Sequence, residues 1–246
     1  MNSTFKIIVA FYNVEKWIGT TIKSVLGQNY DNYECVLIND MSTDKSLEIC
    51  YDLVGTDDRF KIVDNKDKKC SLENIYNAVH AHTHAEDIVV ILDGDDFFAN
   101  SSSLQHLNEV YNLRNCWVTY GSYMNLSNKI RGKFSKQIPQ EVVQANSFRE
   151  YEWCTSHLRS FKSFLFKKID ETSLQDDNGE FFDFAGDLAI MFPLLELAGN
   201  KSTYIDKILY VWNDLNDLNE HKRDNKRQLF VENVIRRKVR YDKYGS

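Results

Sequence analysis

Ile88-Val89-Val90-Ile91-Leu92-Asp93-Gly94-Asp95-Asp96 decides how this chain is read: five apolar residues run directly into three carboxylates within four positions. A run that is apolar at every residue, without alternation, predicts a strand buried on both faces, as in a parallel sheet. In open α/β sheets ligands bind beyond the carboxyl ends of the strands, and Asp93, Asp95 and Asp96 fall at that edge. Gly94 lets the backbone turn tightly, so alternate carboxylates can converge on one hard divalent cation, Mg²⁺ or Mn²⁺, which prefers oxygen ligands. The same residues also suit a plain acidic turn that caps the next helix, so the flanking sequence has to decide.

Working outward, the first half alternates strand and helix patterns. Strands are expected at Phe5–Phe11, Tyr33–Asn39, Arg59–Val63 and Asp87–Asp93, and helices at Val14–Leu26, Thr43–Leu53 and Ser71–His84. This is the signature of a doubly wound, mostly parallel sheet flanked by helices. The strands end in Tyr12-Asn13, Asn39-Asp40 and the Asp93–Asp96 cluster, which would line one crevice. No glycine-rich loop follows the first strand, which disfavours both a dinucleotide-binding dehydrogenase and a P-loop enzyme. Beyond Phe98 the pattern gives a helix at Ser103–Leu113, a strand at Cys116–Gly121 and mixed segments to Phe166. An apolar helix then opens at Asp187 and closes at Gly199, with Pro193 expected to kink it or to sit in its first turn. Lys207–Trp212 reads as a further strand, and a basic amphipathic helix follows from His221.

A chain of 246 residues that is 43% hydrophobic and 27% charged suits one globular domain. We divide it into a first half that carries the crevice (1–98), a second half of mixed segments (99–220) and a terminal helix (221–246). A net charge of −6 argues against nucleic-acid binding, which draws its affinity from Lys and Arg on phosphates. No stretch approaches the ~20 apolar residues of a membrane span and no signal-peptide order is visible, so a cytoplasmic protein is expected. Five scattered cysteines without a C-x-x-C pair read as reduced thiols. Residues 221–243 hold nine Lys/Arg against three Asp/Glu. That suits a solvated face over an apolar stripe of Phe230, Val234 and Val239, or peripheral contact with an anionic membrane. His80, His82 and His84 lack a third metal-ligand spacing and read as histidines favoured at a helix C-terminus rather than as a zinc site.

Taken together, these motifs resemble family 2 glycosyltransferases of the GT-A fold over about Phe5 to His221. Ile7–Glu15 resembles the family's first strand and nucleotide loop. Val36–Asp44 resembles its second-strand motif, with Asn39 replacing the usual first acid, and Asp93-Gly94-Asp95-Asp96 resembles its D-x-D motif. Gly186-Asp187 with the following Pro-Leu-Leu-Glu-Leu-Ala-Gly run, and the Leu209–Asn213 strand, resemble the catalytic helix and closing strand. Gly186 stands where the family has Glu.

The resemblance implies a UDP-sugar donor, with Phe11 and Tyr12 flanking base and ribose and Asp40 hydrogen-bonding uracil. Glu15, Asn74, Asp93 and Arg159 would also contact the donor. Asp95 or Asp96, with His221, would hold Mn²⁺ or Mg²⁺, and Asp187 would be the base of an inverting transfer. On helix position alone Asp187 reads equally as an N-cap. Trp153 and His157 are the acceptor-site candidates, although aromatic packing is the default for Trp153. The acceptor is a glycan, lipid-linked sugar or protein hydroxyl. A sugar-1-phosphate nucleotidyltransferase would also place acids around Mg²⁺, but it wants a basic glycine-rich first loop that Ala10–Asn13 does not offer. A non-catalytic sugar-nucleotide binder would need the metal acids but not Asp187.

Overall fold

The computed structural model describes residues 2–245, apart from the side chains of Glu220 and His221. In chain order the elements are β1 (Phe5–Phe11), α1 (Ile18–Leu26), β2 (Tyr33–Asn39), α2 (Ser46–Val54), β3 (Phe60–Asp64), α3 (Ser71–His82), β4 (Ile88–Ile91) and β5 (Phe97–Phe98). They continue as α4 (Ser103–Arg114), β6 (Val118–Asn125), α5 (Gln140–Ala145), β7 (Arg159–Lys162), α6 (Ser163–Phe166), α7 (Gly186–Ala198), β8 (Ser202–Trp212), α8 (Glu220–Arg223) and α9 (Asn225–Arg237). The eight strands form one sheet in the order β3-β2-β1-β4-β7-β6-β8-β5. The first four strands pair in parallel. β7 runs antiparallel to both β4 and β6, and β6 returns to parallel with β8.

Strand alternation sorts the core into two layers. Ile8, Val89, Ile91 and Phe161 face the layer of α3 and α7, whereas Ile7, Val9, Phe11, Val90 and Leu92 face that of α1 and α4. Continued past Ile91, this two-residue period turns Asp93 toward α7.

Helices α1 and α2 begin later than their periodicity predicts because the two loops before them are laced together. Val14 N donates to Ser46 Oγ (2.8 Å), Glu15 N to Asp44 Oδ2 (3.0 Å), Thr43 N to Asn13 Oδ1 (2.7 Å) and Lys45 N to Glu15 Oε2 (3.0 Å). β7 carries no apolar run and is missing from the sequence reading; its place in the middle of the sheet comes from pairing with β4.

Helix α7 starts at Gly186 behind Ala185, whose φ of 54° is left-handed, so Asp187 is not the N-cap. Pro193 lies in the helix interior, while Gly199 closes it with φ 50° as expected. α7 is almost wholly buried. Its Glu196 pairs with buried Arg149 (2.5 Å), and Arg149 also donates to Ile235 O on α9 (2.7 Å).

The basic terminal segment is largely committed within the molecule. Arg227 pairs with Asp183, Arg236 with Glu232 and two loop carbonyls, and Arg240 with Glu150; Lys238 donates to Thr172 O. The apolar stripe is also displaced from the expected one. Val231 and Ile235 are buried, while Phe230 and Val239 are exposed. All five cysteines are free thiols, four of them buried. No helix among the described residues is long and apolar enough to cross a membrane.

Candidate active site

The acids that end β4 take three different environments. Asp96 is 1% exposed, and both its oxygens are occupied: Tyr210 Oη donates to Oδ2 (2.6 Å) and Asn213 N to Oδ1 (2.6 Å). Burial, with Asp95 and Asp93 close by, raises its carboxyl well above the ordinary range. Asp95 accepts Asn216 Nδ2 at 2.6 Å. Burial and the neighbouring Asp93 push its carboxyl up to about 6 against that hydrogen bond. The Asp93 side chain keeps 37% exposure and faces the cleft. Gly94 is required at this turn, since a Cβ there would lie 2.4 Å from Phe11 Cβ.

Opposite the acids, β7 supplies Arg159, which is paired in register with Ile91 and nearly buried. Its guanidinium lies 3.2 Å from Asp187 Oδ2 and 3.5 Å from Asp93 Oδ2, and it reaches His157 Nδ1 at 3.1 Å. Asp187, brought in by the start of α7, also accepts Leu188 N at 2.9 Å. Burial raises its carboxyl above the ordinary value, with Arg159 opposing that rise. His157 is stacked flat on Tyr210, with centroids 4.3 Å apart. Burial and Arg159 hold it well below the usual imidazole range. A neutral ring that accepts through Nδ1 carries its proton on Nε2. His157 therefore belongs beneath the carboxylates, orienting Arg159, and not on an open acceptor face.

The second crevice wall is built on Asp40, 4% exposed. Its carboxylate accepts Lys69 N (2.8 Å) and Asn65 Nδ2 (3.1 Å) and pairs with Lys68 Nζ (3.0 Å). Lys68 also sits 3.0 Å over the ring of Tyr12, which is 40% exposed. Asn65 bridges from Asp40 to Asn74 Oδ1 (2.7 Å), leaving the buried Asn74 Nδ2 without a protein acceptor. Two expectations are corrected here, the first by the alternation of β1 and the second by the loop that follows it. Phe11 points into the α1-side core at 4% exposure, so it offers the crevice backbone only. Glu15 is directed to the N-terminus of α2 through Lys45 N.

Trp153 is not joined to this cluster: it packs edge-on against Phe192 at 5.7 Å. The side chain of His221 lies outside the described residues. Gly186, where the family pattern has Glu, lets α7 approach α3, because a Cβ there would stand 3.3 Å from Leu72 Cβ. The sequence reading missed Tyr210, Asn213, Asn216 and Lys68. Tyr210 and Asn213 stood in the closing-strand motif, but nothing local said that they meet Asp96.

A divalent cation suits this donor set. Asp93 and Asp187 pair with the Arg159 guanidinium, Asp96 lies close to it and Asp95 lies beside Asp93 and Asp96, and the raised carboxyls of Asp95, Asp96 and Asp187 reflect a surplus of negative charge at a partly desolvated site. One ligand atom from each of Asp93, Asp96 and His157 lie within 4.8 Å of one another. The hydrogen bonds already made to Asp96 and to His157 Nδ1 leave Asp93 and Asp95 as the better-placed oxygen donors.

The comparisons with known proteins agree with this architecture. Among solved structures, the chain is similar to Staphylococcus aureus TarS 1–349 in complex with UDP-GlcNAc, with a TM-score of 0.69, 18% identity, and coverage of 94% of this chain and 65% of that one. It is also similar to the mannosyltransferase PcManGT from Pyrobaculum calidifontis in complex with GDP-Man and Mn²⁺, with a TM-score of 0.64, 16% identity, and coverage of 98% and 66%. These likenesses establish the shared GT-A fold. Among curated relatives, an uncharacterized glycosyltransferase of Haemophilus influenzae is 36% identical over 120 residues, 48% of this chain and 46% of its own length. The poly-beta-1,6-N-acetyl-D-glucosamine synthase of Staphylococcus epidermidis is 35% identical over 92 residues, 36% of this chain and 22% of its own. The chain thus matches less than half the length of either relative. The family model described as Glycosyl transferase family 2 matches residues 6–170, more than half of the sequence, and the chain belongs to that family.

Proposed function

We propose that this chain transfers a sugar from a UDP-sugar to an acceptor hydroxyl with inversion at the anomeric carbon, assisted by Mn²⁺ or Mg²⁺. The observation that carries the reading is the convergence of Asp187, Arg159 and Asp93, with Asp187 within 3.2 Å of the guanidinium that also reaches the acid turn. Asp93 and Asp95 would hold the cation, whose positive charge stabilises the departing diphosphate when bound. Asp40, Asn65 and Asn74 offer an acceptor and an unsatisfied donor to a base edge beside Tyr12. Similar structures in complex with UDP-GlcNAc and with GDP-Man support a nucleotide-sugar donor.

In the transfer step the acceptor oxygen attacks the anomeric carbon. The bond from that carbon to the phosphate oxygen breaks, UDP leaves with the electron pair, and the acceptor proton passes to the Asp187 carboxylate. A partly buried carboxylate with raised proton affinity suits that task, and a positioned base contributes about 10²–10⁴-fold in rate. Arg159, buried and always charged, is placed to take over diphosphate oxygens as they enter.

The test is UDP release from a panel of UDP-sugars with and without Mn²⁺, run beside UDP binding by calorimetry for the wild type and Asp187→Asn. Release confined to one donor and to the metal-loaded protein, lost in Asp187→Asn while UDP binding persists, is the expected result. Equal loss of UDP binding in Asp187→Asn would remove Asp187 from the role of base. UDP binding without turnover of any donor points to a strict acceptor requirement or to a non-catalytic binder.

A further inference from the structure

A cavity of about 420 Å³ lies outside the carboxylate cluster, between the approach to α3, the turn at residues 176–183 and one face of α9. Its volume falls in the range of small-molecule sites, about 300–1,000 Å³. None of Asp93, Asp95, Asp96 or Arg159 lines it, so it is not the diphosphate cradle. It adjoins the Asp40 wall of the crevice on one side and the segment leading into α7 on the other. Lys68 on its wall reaches Asp40 and Tyr12. Asp183, also on the wall, lies four residues before Asp187, and Gly186 meets Leu72 in the first turn of α3.

The lining has a definite chemistry. Its three cations are each held by a carboxylate: Lys68 by Asp40, Lys69 by Glu73 and Arg227 by Asp183. Carboxylates outnumber cations on the wall, with Asp176 and Glu180 added. Such a wall disfavours a further phosphate and offers oxygens to hydroxyl donors. Phe181 and Phe230 supply apolar faces, and Phe230 stays 62% exposed although it is a large aromatic on an ordered helix. A pyranose ring combines a C–H face with a rim of hydroxyl donors, which matches this pairing of phenyl and carboxylate groups.

We propose that this cavity is the acceptor subsite, holding an uncharged sugar ring of a carbohydrate acceptor beside the ring whose hydroxyl reaches Asp187. The inference rests on the glycosyl-transfer reading for its role and relocates acceptor recognition from Trp153 and His157 to the α3–α9 cavity. The experiment takes the full chain with Mn²⁺ and compares wild type, Phe230→Ala, Phe230→Trp and Glu180→Gln. UDP binding is read by calorimetry and carbohydrate binding on a glycan array. Both altered residues are largely solvent-exposed, so the variants should fold, and unchanged UDP affinity checks this.

The expected result is that the wild type retains at least one carbohydrate. Phe230→Ala should weaken that binding about tenfold, the size of one lost aromatic face. Phe230→Trp should restore it, Glu180→Gln should weaken it, and UDP affinity should stay constant throughout. The proposal is overturned if carbohydrate binding survives both Phe230→Ala and Glu180→Gln, or if a wild type that binds UDP retains no carbohydrate. It is equally overturned if Phe230→Ala weakens UDP instead. Carbohydrate binding lost in Phe230→Ala by a protein that never binds UDP would keep the cavity as a sugar site and sink the glycosyl-transfer reading alone.

Discussion

Replacing Arg159 by Met tests the electrostatic logic of the site most directly. The guanidinium lies among Asp93, Asp187 and His157, with Asp96 close by. At 3.2 Å from Asp187, an effective dielectric of about 20 gives an attraction of about 5 kcal/mol. The Asp187 and Asp93 side chains keep 32% and 37% exposure, so water and proton uptake recover part of this. The expected loss is about 2–3 kcal/mol, below the roughly 3–5 kcal/mol of a fully buried broken pair. In a chain of 246 residues this is a fall in Tm of roughly 5–10 °C, at about 2–4 °C per kcal/mol.

The sign of the pH dependence follows from the same contacts. Arg159 opposes the rise of the Asp187 carboxyl, so without it the folded protein takes up a proton there at higher pH. The uncompensated charge is then relieved as pH falls, and the deficit should be larger at pH 8 than at pH 5. Differential scanning fluorimetry of wild type, Arg159→Met and Arg159→Lys at both pH values makes the measurement. Lys, a single point charge, should recover only part of the loss. A Met variant within about 1 °C of wild type at pH 8, or a deficit that grows toward pH 5, would refute the reasoning.

Asp95→Asn should stabilise the metal-free protein at pH 8, because the Asp95 carboxyl, pushed up to about 6, carries a penalty as the anion. That penalty is in full force above about 6 and disappears as pH falls toward the unfolded value, so the gain, at most ~3 kcal/mol, should close over that interval. Comparing variant with wild type cancels the opposite drift from His157 and His80, whose imidazoles are held low by burial. A variant less stable than wild type at both ends would contradict this, and Mn²⁺ should raise Tm in the wild type only. Gly94→Ala should cost about 1–3 kcal/mol in urea unfolding, because the new Cβ meets Phe11 at 2.4 Å; a neutral result would show that the turn can shift freely.

Much of the fold was legible because its signals are local. The periodicity of Phe5–Phe11 and Tyr33–Asn39 gave β1 and β2 with the bounds observed. The acid turn after Leu92 and the Gly199 stop also fell where short-range chemistry put them. β7 was illegible, since Arg159-Ser160-Phe161-Lys162 has no apolar run and becomes a strand only through its neighbours β4 and β6. The starts of α1 and α2 were misplaced for a related reason, because the loops before them are fixed by hydrogen bonds to one another across about 30 residues.

The sequence by itself determined which acids lie at the strand ends, because strand ends follow from spacing along the chain, while Asp187 was singled out by the resemblance of its motif to family 2 glycosyltransferases and not by its place at a helix start. Only the tertiary structure decided what each acid does. It sealed Asp96 with Tyr210 and Asn213, left Asp93 in the cleft, turned Phe11 into the core and brought Arg159 between Asp93 and Asp187. Those outcomes depend on burial and on contacts between residues up to 117 positions apart. Desolvation and pairing are properties of the assembled sheet, and no window of sequence contains them.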